Sequence, residues 1–112
     1  MAVAISVSAM VVQSSASLDA IFHALSDPTR RVMLRSLALG ERTISDLAAP
    51  FSMSFAAASK HVRVLERAGL VSRRKMGRSY ICQLEPAPLR VADQWISFYE
   101  GFWDGRFLAS ND

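Results

Sequence analysis

Apolar residues recur at helical spacing along most of this chain, beginning close to its N-terminus. Four of them stand at i, i+3, i+4 and i+7 and would share one helical face: Leu18, Ile21, Phe22 and Leu25. This spacing predicts a short amphipathic helix. The preceding residues 1–17 are apolar and then serine-rich, without the basic start of a signal peptide, so we expect a weakly ordered tail or an added helical turn. We hypothesise that Met10 is the natural start.

A second helix is predicted to begin at Pro28, because Asp27 can cap it and proline suits the first helical position. We expect it to run to about Leu39. Its inward side chains are expected to be Val32, Met33, Leu34 and Leu37. Three arginines are expected on its solvent-facing side, either in solvent or in ion pairs within the domain: Arg30, Arg31 and Arg35.

Two further helices are predicted on either side of a short turn. The first runs from Thr43, which can cap it, to about Ala48. The second lies within Ser54–Leu70, which opens on a serine able to cap a helix and closes on Gly69. A short helix, a tight turn and a longer helix form the helix-turn-helix arrangement.

The segment Ser54–Leu70 has two different faces. Its buried stripe is expected to be Ala58, Val62 and Leu65, which repeat at i, i+4 and i+7. The opposite face has small residues at its front, followed by donors and positive charge: Ala56, Ala57, Ser59, Lys60 and Arg63. Such a helix can enter a DNA major groove while it packs on its own domain. A surface helix of any soluble protein can have the same pattern.

A basic β-hairpin is predicted next. Leu70–Arg74 and Ser79–Leu84 would be its strands, joined by a turn on Gly77. Four basic residues flank that glycine: Arg73, Arg74, Lys75 and Arg78. Such charges can simply discourage pairing at a sheet edge. Beside a helix-turn-helix, however, they favour a wing that lies along the phosphate backbone.

An aromatic last helix is predicted from about Leu89 to Leu108. One apolar stripe consists of Val91, Trp95, Phe98 and Phe102, and a second stripe beside it of Ile96, Tyr99 and Trp103. This much aromatic surface would either fold over the core or pack against a second copy. In a chain of 112 residues we favour a homodimer that also uses the first helix.

Charge and composition narrow the range of functions. Net charge is only +3, but the positive charge is concentrated between Lys60 and Arg78, where Glu66 is the only acid. This asymmetry indicates a polyanionic partner, nucleic acid before membrane.

Cys82 is the only cysteine, which excludes an intrachain disulfide and a multi-cysteine metal site and fits a cytoplasmic protein. No nucleophile elbow, glycine-rich phosphate loop or metal motif is present, so we predict neither an enzyme nor a cofactor. No apolar run reaches the ~20 residues of a membrane span.

Together these segments resemble the ArsR/SmtB family of bacterial repressors. The resemblance covers roughly residues 18–107, and its most specific parts are ALSDPTRR and SKHVRVLERAGLV. It implies a mainly α winged helix-turn-helix domain over residues 18–108, with about five helices, a two-stranded wing and a short tail at 109–112. It also implies a homodimer that binds a pseudo-palindromic operator in double-stranded DNA near its own promoter and usually represses it.

The resemblance assigns roles to individual residues. DNA contacts are implied for Ser54, Phe55, Ala56, Ala57, Ser59, Lys60, His61 and Arg63 on the recognition helix, and for Arg73, Arg74, Lys75 and Arg78 on the wing. A dimer interface is implied for Leu18, Ile21, Phe22, Leu25, Val91, Trp95, Phe98, Tyr99 and Phe102. His61 is ambiguous, since its position fits a half-buried packing residue as well as a DNA contact.

The sequence also departs from this family. Thr43 and Ser45 stand where metal-sensing members have two cysteines, and the last helix has no histidine. No metal site is therefore predicted, and the effector stays open, as does the role of Cys82. A different class of function remains as the alternative: a dimeric interaction module whose basic hairpin binds an acidic protein.

Overall fold

A computed structural model of the chain describes residues 17–105, which contain six helices and one three-stranded antiparallel sheet. The elements are α1 (17–25), α2 (Pro28–Ala38), β1 (Arg42–Thr43), α3 (Ile44–Ala48), α4 (Phe55–Arg67), β2 (Val71–Met76), β3 (Ser79–Leu84), α5 (Ala87–Ser97) and α6 (Glu100–Trp103). The tails predicted at 1–17 and 109–112 lie outside the described residues, apart from residue 17 in α1.

The three helices α2, α3 and α4 each begin at a capping side chain, as the sequence predicts. Asp27 accepts hydrogen bonds from the N–H groups of Thr29 (2.7 Å) and Arg30 (3.2 Å). Thr43 and Asp46 form a reciprocal capping box at the start of α3. The Ser54 hydroxyl accepts from the N–H of Ala57 at 3.1 Å, so the first turn of α4 is held by its own N-cap.

The core lies between α2, α3, α4 and the sheet. Ala58, Val62 and Leu65 of α4 are completely buried, which confirms the predicted stripe. They pack with Met33 and Leu37 of α2 in one apolar cluster. A left-handed glycine, with φ of +75° at residue 69, ends the turn after α4 and leads into β2.

The inward face of α2 differs from the prediction at two positions. Val32 is 48% exposed, whereas Arg30 is buried with 8% of its surface exposed. The inward residues are therefore Arg30, Met33, Leu34 and Leu37, at i, i+3, i+4 and i+7. The prediction was wrong because it treated arginine as a surface residue. Arg30 is tolerated inside because its guanidinium has carbonyl partners there.

The hairpin of β2 and β3 forms as predicted, and β2 extends two residues further, to Met76. Six residue pairs join the strands, from Val71↔Leu84 to Met76↔Ser79, and Gly77 turns between them with φ of +63°. A third strand, absent from the prediction, is the short β1, which pairs Arg42 with Cys82 and Thr43 with Ile81. A run of two residues is too short to show the alternation that identifies a strand.

The last helix is broken rather than continuous. α5 ends at Ser97, a turn follows at Phe98 and Tyr99, and α6 ends at Trp103. Gly101 and Gly105 are the weakest helix formers apart from proline, which fits a short α6. The remaining residues of the predicted helix, from 106 to 108, lie outside the described residues.

Candidate nucleic-acid interface

The outer side of α4 forms a surface that we call the reading face. Of its eight predicted contact residues, those whose side chains are exposed are Ser54, Phe55, Ala56, Lys60 and Arg63. Ala57, Ser59 and His61 are half-buried. Phe55 is 57% exposed at the first turn of the helix, which is unusual for a phenylalanine that serves packing alone. An exposed aromatic followed by small side chains leaves the helix front narrow enough to enter a groove.

His61 turns from this face toward α2. Its Nδ1 lies 3.4 Å from Nη1 of Arg30. The same guanidinium donates from Nε to the Ala24 carbonyl (2.7 Å) and from Nη2 to the His23 carbonyl (2.9 Å). Arg30 therefore joins the C-terminal end of α1 to the middle of α4. A DNA role for His61 stays a prediction.

Asp27 completes this junction beside Arg30. One carboxylate oxygen lies 3.9 Å from Nη1 of Arg30. Burial acts to raise the pKa of Asp27, but N–H donation from Arg30 and Thr29, together with electrostatic interaction with neighbouring side chains that include the Arg30 guanidinium, lowers that pKa overall. The carboxylate is thus held in its charged form at neutral pH.

The wing is joined by two ion pairs to residues of other elements, Glu66 on α4 and Glu41 just before β1. Arg73 of β2 places Nε 3.0 Å from Oε1 of Glu66 on α4, and its guanidinium lies 5.0 Å from the centre of the Tyr80 ring. Arg74 donates from both terminal nitrogens to Glu41, at 2.7 and 2.9 Å. The hydrogen bonds from Arg74 lower the pKa of Glu41. These carboxylates offset part of the charge that Arg73 and Arg74 would present to DNA.

The other two basic residues of the wing are differently placed. Lys75 and Arg78 are exposed at the tip of the hairpin, and within residues 17–105 no carboxylate lies at ion-pair distance from either. Their positive charge is therefore uncompensated. Of the four wing residues predicted from the sequence, these two are the most available to a phosphate.

A cleft of about 310 Å³ joins the wing to the reading face. Its walls come from the start of α3, from Phe55 and from the strand after Gly77, and consist of Thr43, Ile44, Ser45, Phe55, Arg78, Ser79 and Tyr80. Sequence reasoning missed this cleft and the hydroxyl groups of Ser45 and Ser79 in it. The cleft makes the reading face and the tip of the wing one continuous surface.

A second surface, which we call the aromatic surface, lies on α5 and α6. Its exposed apolar residues are Val91, Trp95, Ile96, Phe98, Tyr99, Phe102 and Trp103. Phe22 of α1 meets Trp95 edge to face at 5.7 Å between ring centres, and Trp95 lies 5.2 Å from Tyr99. Among the α1 residues predicted for a dimer interface, Ile21 is only 1% exposed and lies in the core of the chain itself. Leu18 and Leu25 are half-buried.

Three further questions raised by the sequence concern the role of Cys82, a metal site and a membrane span. Cys82 is buried in β3, and burial raises the pKa of its thiol, so the thiolate is disfavoured. Among residues 17–105, no three His, Cys, Asp or Glu side chains are grouped so that they could hold a metal ion. In the same part of the chain, none of the helices is both long and apolar enough to cross a bilayer.

This combination defines a class of protein. A capped helix of mixed apolar and basic character follows a shorter helix across a tight turn, and a basic hairpin stands next to it. That is a winged helix-turn-helix DNA-binding domain.

Comparisons with known proteins agree with this class and identify the family. A family model described as a helix-turn-helix domain matches residues 25–74. The transcriptional repressor SdpR of Bacillus subtilis (strain 168) is 32% identical over 79 residues, which are 70% of this chain and 88% of that protein. The crystal structure of an ArsR family transcriptional regulator, RHA00566, is 37% identical with a TM-score of 0.74, covering 80% of this chain and 93% of that one.

The chain belongs to the ArsR/SmtB family of winged helix-turn-helix transcriptional regulators, and it is a DNA-binding regulator rather than an enzyme. A homodimeric winged helix-turn-helix domain from Mycobacterium bovis shares the fold, with a TM-score of 0.62 at 23% identity over 85% of this chain and 86% of that one.

Proposed function

We propose that this regulator is a homodimeric repressor that binds a pseudo-palindromic operator near its own promoter and acts in the cytoplasm. The observation that carries the proposal is the continuous surface from Phe55 across the cleft to Arg78. One helix of this surface fits a major groove, and the hairpin beside it lies where the flanking phosphates would be. Repression is supported by the function named for SdpR.

The aromatic surface supports the dimer. Phe98 is 76% exposed and Trp103 59% exposed, an apolar area that a monomer would leave in water. The homodimeric relative of the same fold also favours a second copy as the partner. Two linked reading faces would then meet half-sites about 34 Å apart, one turn of the double helix.

The reading face suggests how sequence would be recognised. Phe55, Ala56 and Ala57 offer apolar contact, which suits the methyl groups of thymine. Lys60 and Arg63 lie further along the helix and would bind phosphates or base acceptors. With few hydrogen-bonding side chains at the front, part of the specificity would come from DNA shape.

A gel-shift titration tests the proposal directly. The DNA upstream of the protein's own gene would be compared with a shuffled duplex of equal length and composition, at two salt concentrations. We expect the upstream DNA to bind at least about a hundredfold more tightly. Equal and weak binding to both duplexes would contradict the proposal and would favour a module that binds an acidic protein.

A reporter experiment separates repression from activation. The upstream region would drive a reporter in cells with and without the intact gene, and Lys60→Ala would serve as a folded variant with an altered reading face. We expect loss of the regulator to raise reporter output. A fall in output would mean activation and would overturn the assignment as a repressor.

A further inference from the structure

An apolar groove of about 310 Å³ lies on the side of the domain formed by α1, α2, β3 and α5. Its apolar lining consists of Leu25, Leu34, Ala38, Leu84 and Leu89. Three of these, Leu25, Leu84 and Leu89, are partly exposed and pack against the main core, so the groove opens directly onto it. The volume is at the lower end of that of small-molecule sites, which begin at about 300 Å³.

Two arginines form the rim of the groove. Arg31 and Arg35 stand one helical turn apart on α2 and line both this groove and a neighbouring one of about 250 Å³. Among the residues that the structure describes, none of those lining either groove is acidic. Arg31 uses Nη1 for the Leu25 carbonyl at 2.7 Å. Within residues 17–105, the other guanidinium N–H groups of Arg31, and all those of Arg35, make no hydrogen bond or ion pair.

We propose that this groove binds an amphipathic monocarboxylate of the fatty-acid type. The acyl chain would lie along the leucine-lined floor, and the carboxylate would be bound between Arg31 and Arg35. An apolar cavity with a few convergent polar groups is the usual form of a small-molecule site, and guanidinium groups bind carboxylates through paired N–H donors. This ligand class goes beyond DNA binding and can be tested without DNA.

The groove lies largely apart from the surface that we assign to a second copy of the chain. The aromatic surface contributes none of the lining residues, and Leu25 is the one lining residue for which the family resemblance implies a dimer contact. The elements that line the groove instead connect the DNA-binding side of the molecule, formed by α4 and the wing, with the aromatic surface. α2 contacts α4 through Arg30 and His61, β3 is a strand of the wing, and α5 carries Trp95. A ligand in the groove would therefore contact elements of both parts.

Calorimetry with three probes of equal chain length tests the proposal on the full chain. Decanoate is the expected ligand, 1-decanol lacks the charge, and decyltrimethylammonium reverses it. The two ionic probes would be used below the concentrations at which they form micelles, and 1-decanol below its limit of solubility. We expect saturable binding of one decanoate per chain, with 1-decanol weaker by about fivefold and the cation weaker still, since the head group lies at the protein surface.

Two variants with matched controls locate the binding site. Ala38→Phe places a ring across the groove and should abolish decanoate binding, whereas Ala49→Phe, at an exposed alanine elsewhere, should not. Arg35→Gln should weaken decanoate about fivefold but leave 1-decanol unchanged. Arg90→Gln, an exposed arginine outside both grooves, should leave both ligands unchanged.

Several results would overturn the proposal. The first is equal binding of the three probes, and the second is unchanged decanoate binding by Ala38→Phe. The third is the absence of saturable binding, which would mean that a second copy of the chain or residues 1–16 fill the groove. Cross-linking from Ala38→Cys, in the background of the buried Cys82, would identify such an internal occupant. Each of these results leaves the gel-shift test of DNA binding unaffected.

Discussion

The Nε atom of Arg73 lies 3.0 Å from Oε1 of Glu66, so a wing residue and a residue of the recognition helix are joined by an ion pair. The pair is only about a quarter exposed, and the guanidinium also lies over the Tyr80 ring. Arg73 is thus already partnered before any DNA arrives. This distinguishes it from the tip residues Lys75 and Arg78, although the sequence gives all of them the same charge.

The salt dependence of DNA affinity should distinguish Lys75, which has no acidic partner within residues 17–105, from Arg73, which is paired with Glu66. We expect Lys75→Ala to weaken binding to all DNA sequences alike and to reduce the slope of log K against log salt by about one. Arg73→Ala should reduce the slope by clearly less, because Glu66 already neutralises Arg73. If Arg73→Ala also reduced the slope of log K against log salt by about one, Arg73 would have to leave Glu66 for a phosphate. Glu66→Gln provides the complementary control and should make the slope steeper.

Trp95→Ala should disrupt the proposed dimer. Its ring contacts Phe22 on one side and Tyr99 on the other, so its loss removes the centre of the aromatic surface. We expect a monomer by sedimentation velocity at micromolar concentration, and a large loss of operator affinity, because two linked readers are needed. Val32→Ala removes an exposed apolar side chain elsewhere and should remain dimeric. A monomeric Trp95→Ala with normal operator affinity would refute this prediction.

Arg30→Met should destabilise the fold. The substitution keeps apolar volume but leaves the buried Ala24 carbonyl without its Arg30 donor, whereas the His23 carbonyl keeps its hydrogen bonds from Ser26. We expect the free energy of unfolding to fall by about 1–3 kcal/mol, measured by urea denaturation. Arg35→Met, at an exposed position of the same helix, should change it by less than about 0.5 kcal/mol. Equal effects in the two variants would mean that the Arg30 contacts contribute no net stability.

Stability should decline in acid through Asp27. Its pKa is lower in the folded chain than in the unfolded chain, so the folded state binds this proton more weakly. The contribution is therefore fully present above about pH 4, the ordinary aspartate range, and is lost as pH falls through the folded pKa. Asp27→Asn retains a capping side chain without the charge. We expect thermal melting of the variant to depend less on pH between about 2 and 5 than that of the parent.

Glu41→Gln serves as the comparison for the acid experiment. The lowered pKa of Glu41 has the same sign, but this carboxylate is exposed and its pair with Arg74 is screened by solvent. Its pH profile should therefore stay close to that of the parent protein. A larger change in Glu41→Gln than in Asp27→Asn would contradict the assignment of the acid sensitivity to the α1–α2 junction.

Local signals in the sequence predict most of the helices. The caps at Asp27, Thr43 and Ser54 each involve residues two or three positions apart, so a short window contains the whole interaction. The buried stripe of α4 is likewise a matter of spacing. The basic hairpin is also predicted from its own residues, and the family resemblance adds the class of function, which the comparisons confirm.

What the sequence does not predict depends on contacts between distant positions. Glu41 and Arg74 are separated by 33 positions, and nothing in either neighbourhood marks them as a pair. Arg30 becomes a core residue only because α1 ends where its carbonyls can receive that guanidinium. The charge pattern identifies four basic wing residues, but only the folded hairpin separates those already paired from those still available.

The two-residue strand β1 has a mechanical consequence for the proposed dimer. Thr43 both pairs with Ile81 of the hairpin and caps α3, so the wing is hydrogen-bonded to the start of the helix-turn-helix. The ion pair of Arg74 with Glu41 lies next to this contact, at the solvent-exposed surface. We therefore expect the hairpin and the recognition helix of each protomer to move together. Adjustment to operators of different half-site spacing would then fall to the interface between the two copies of the proposed dimer.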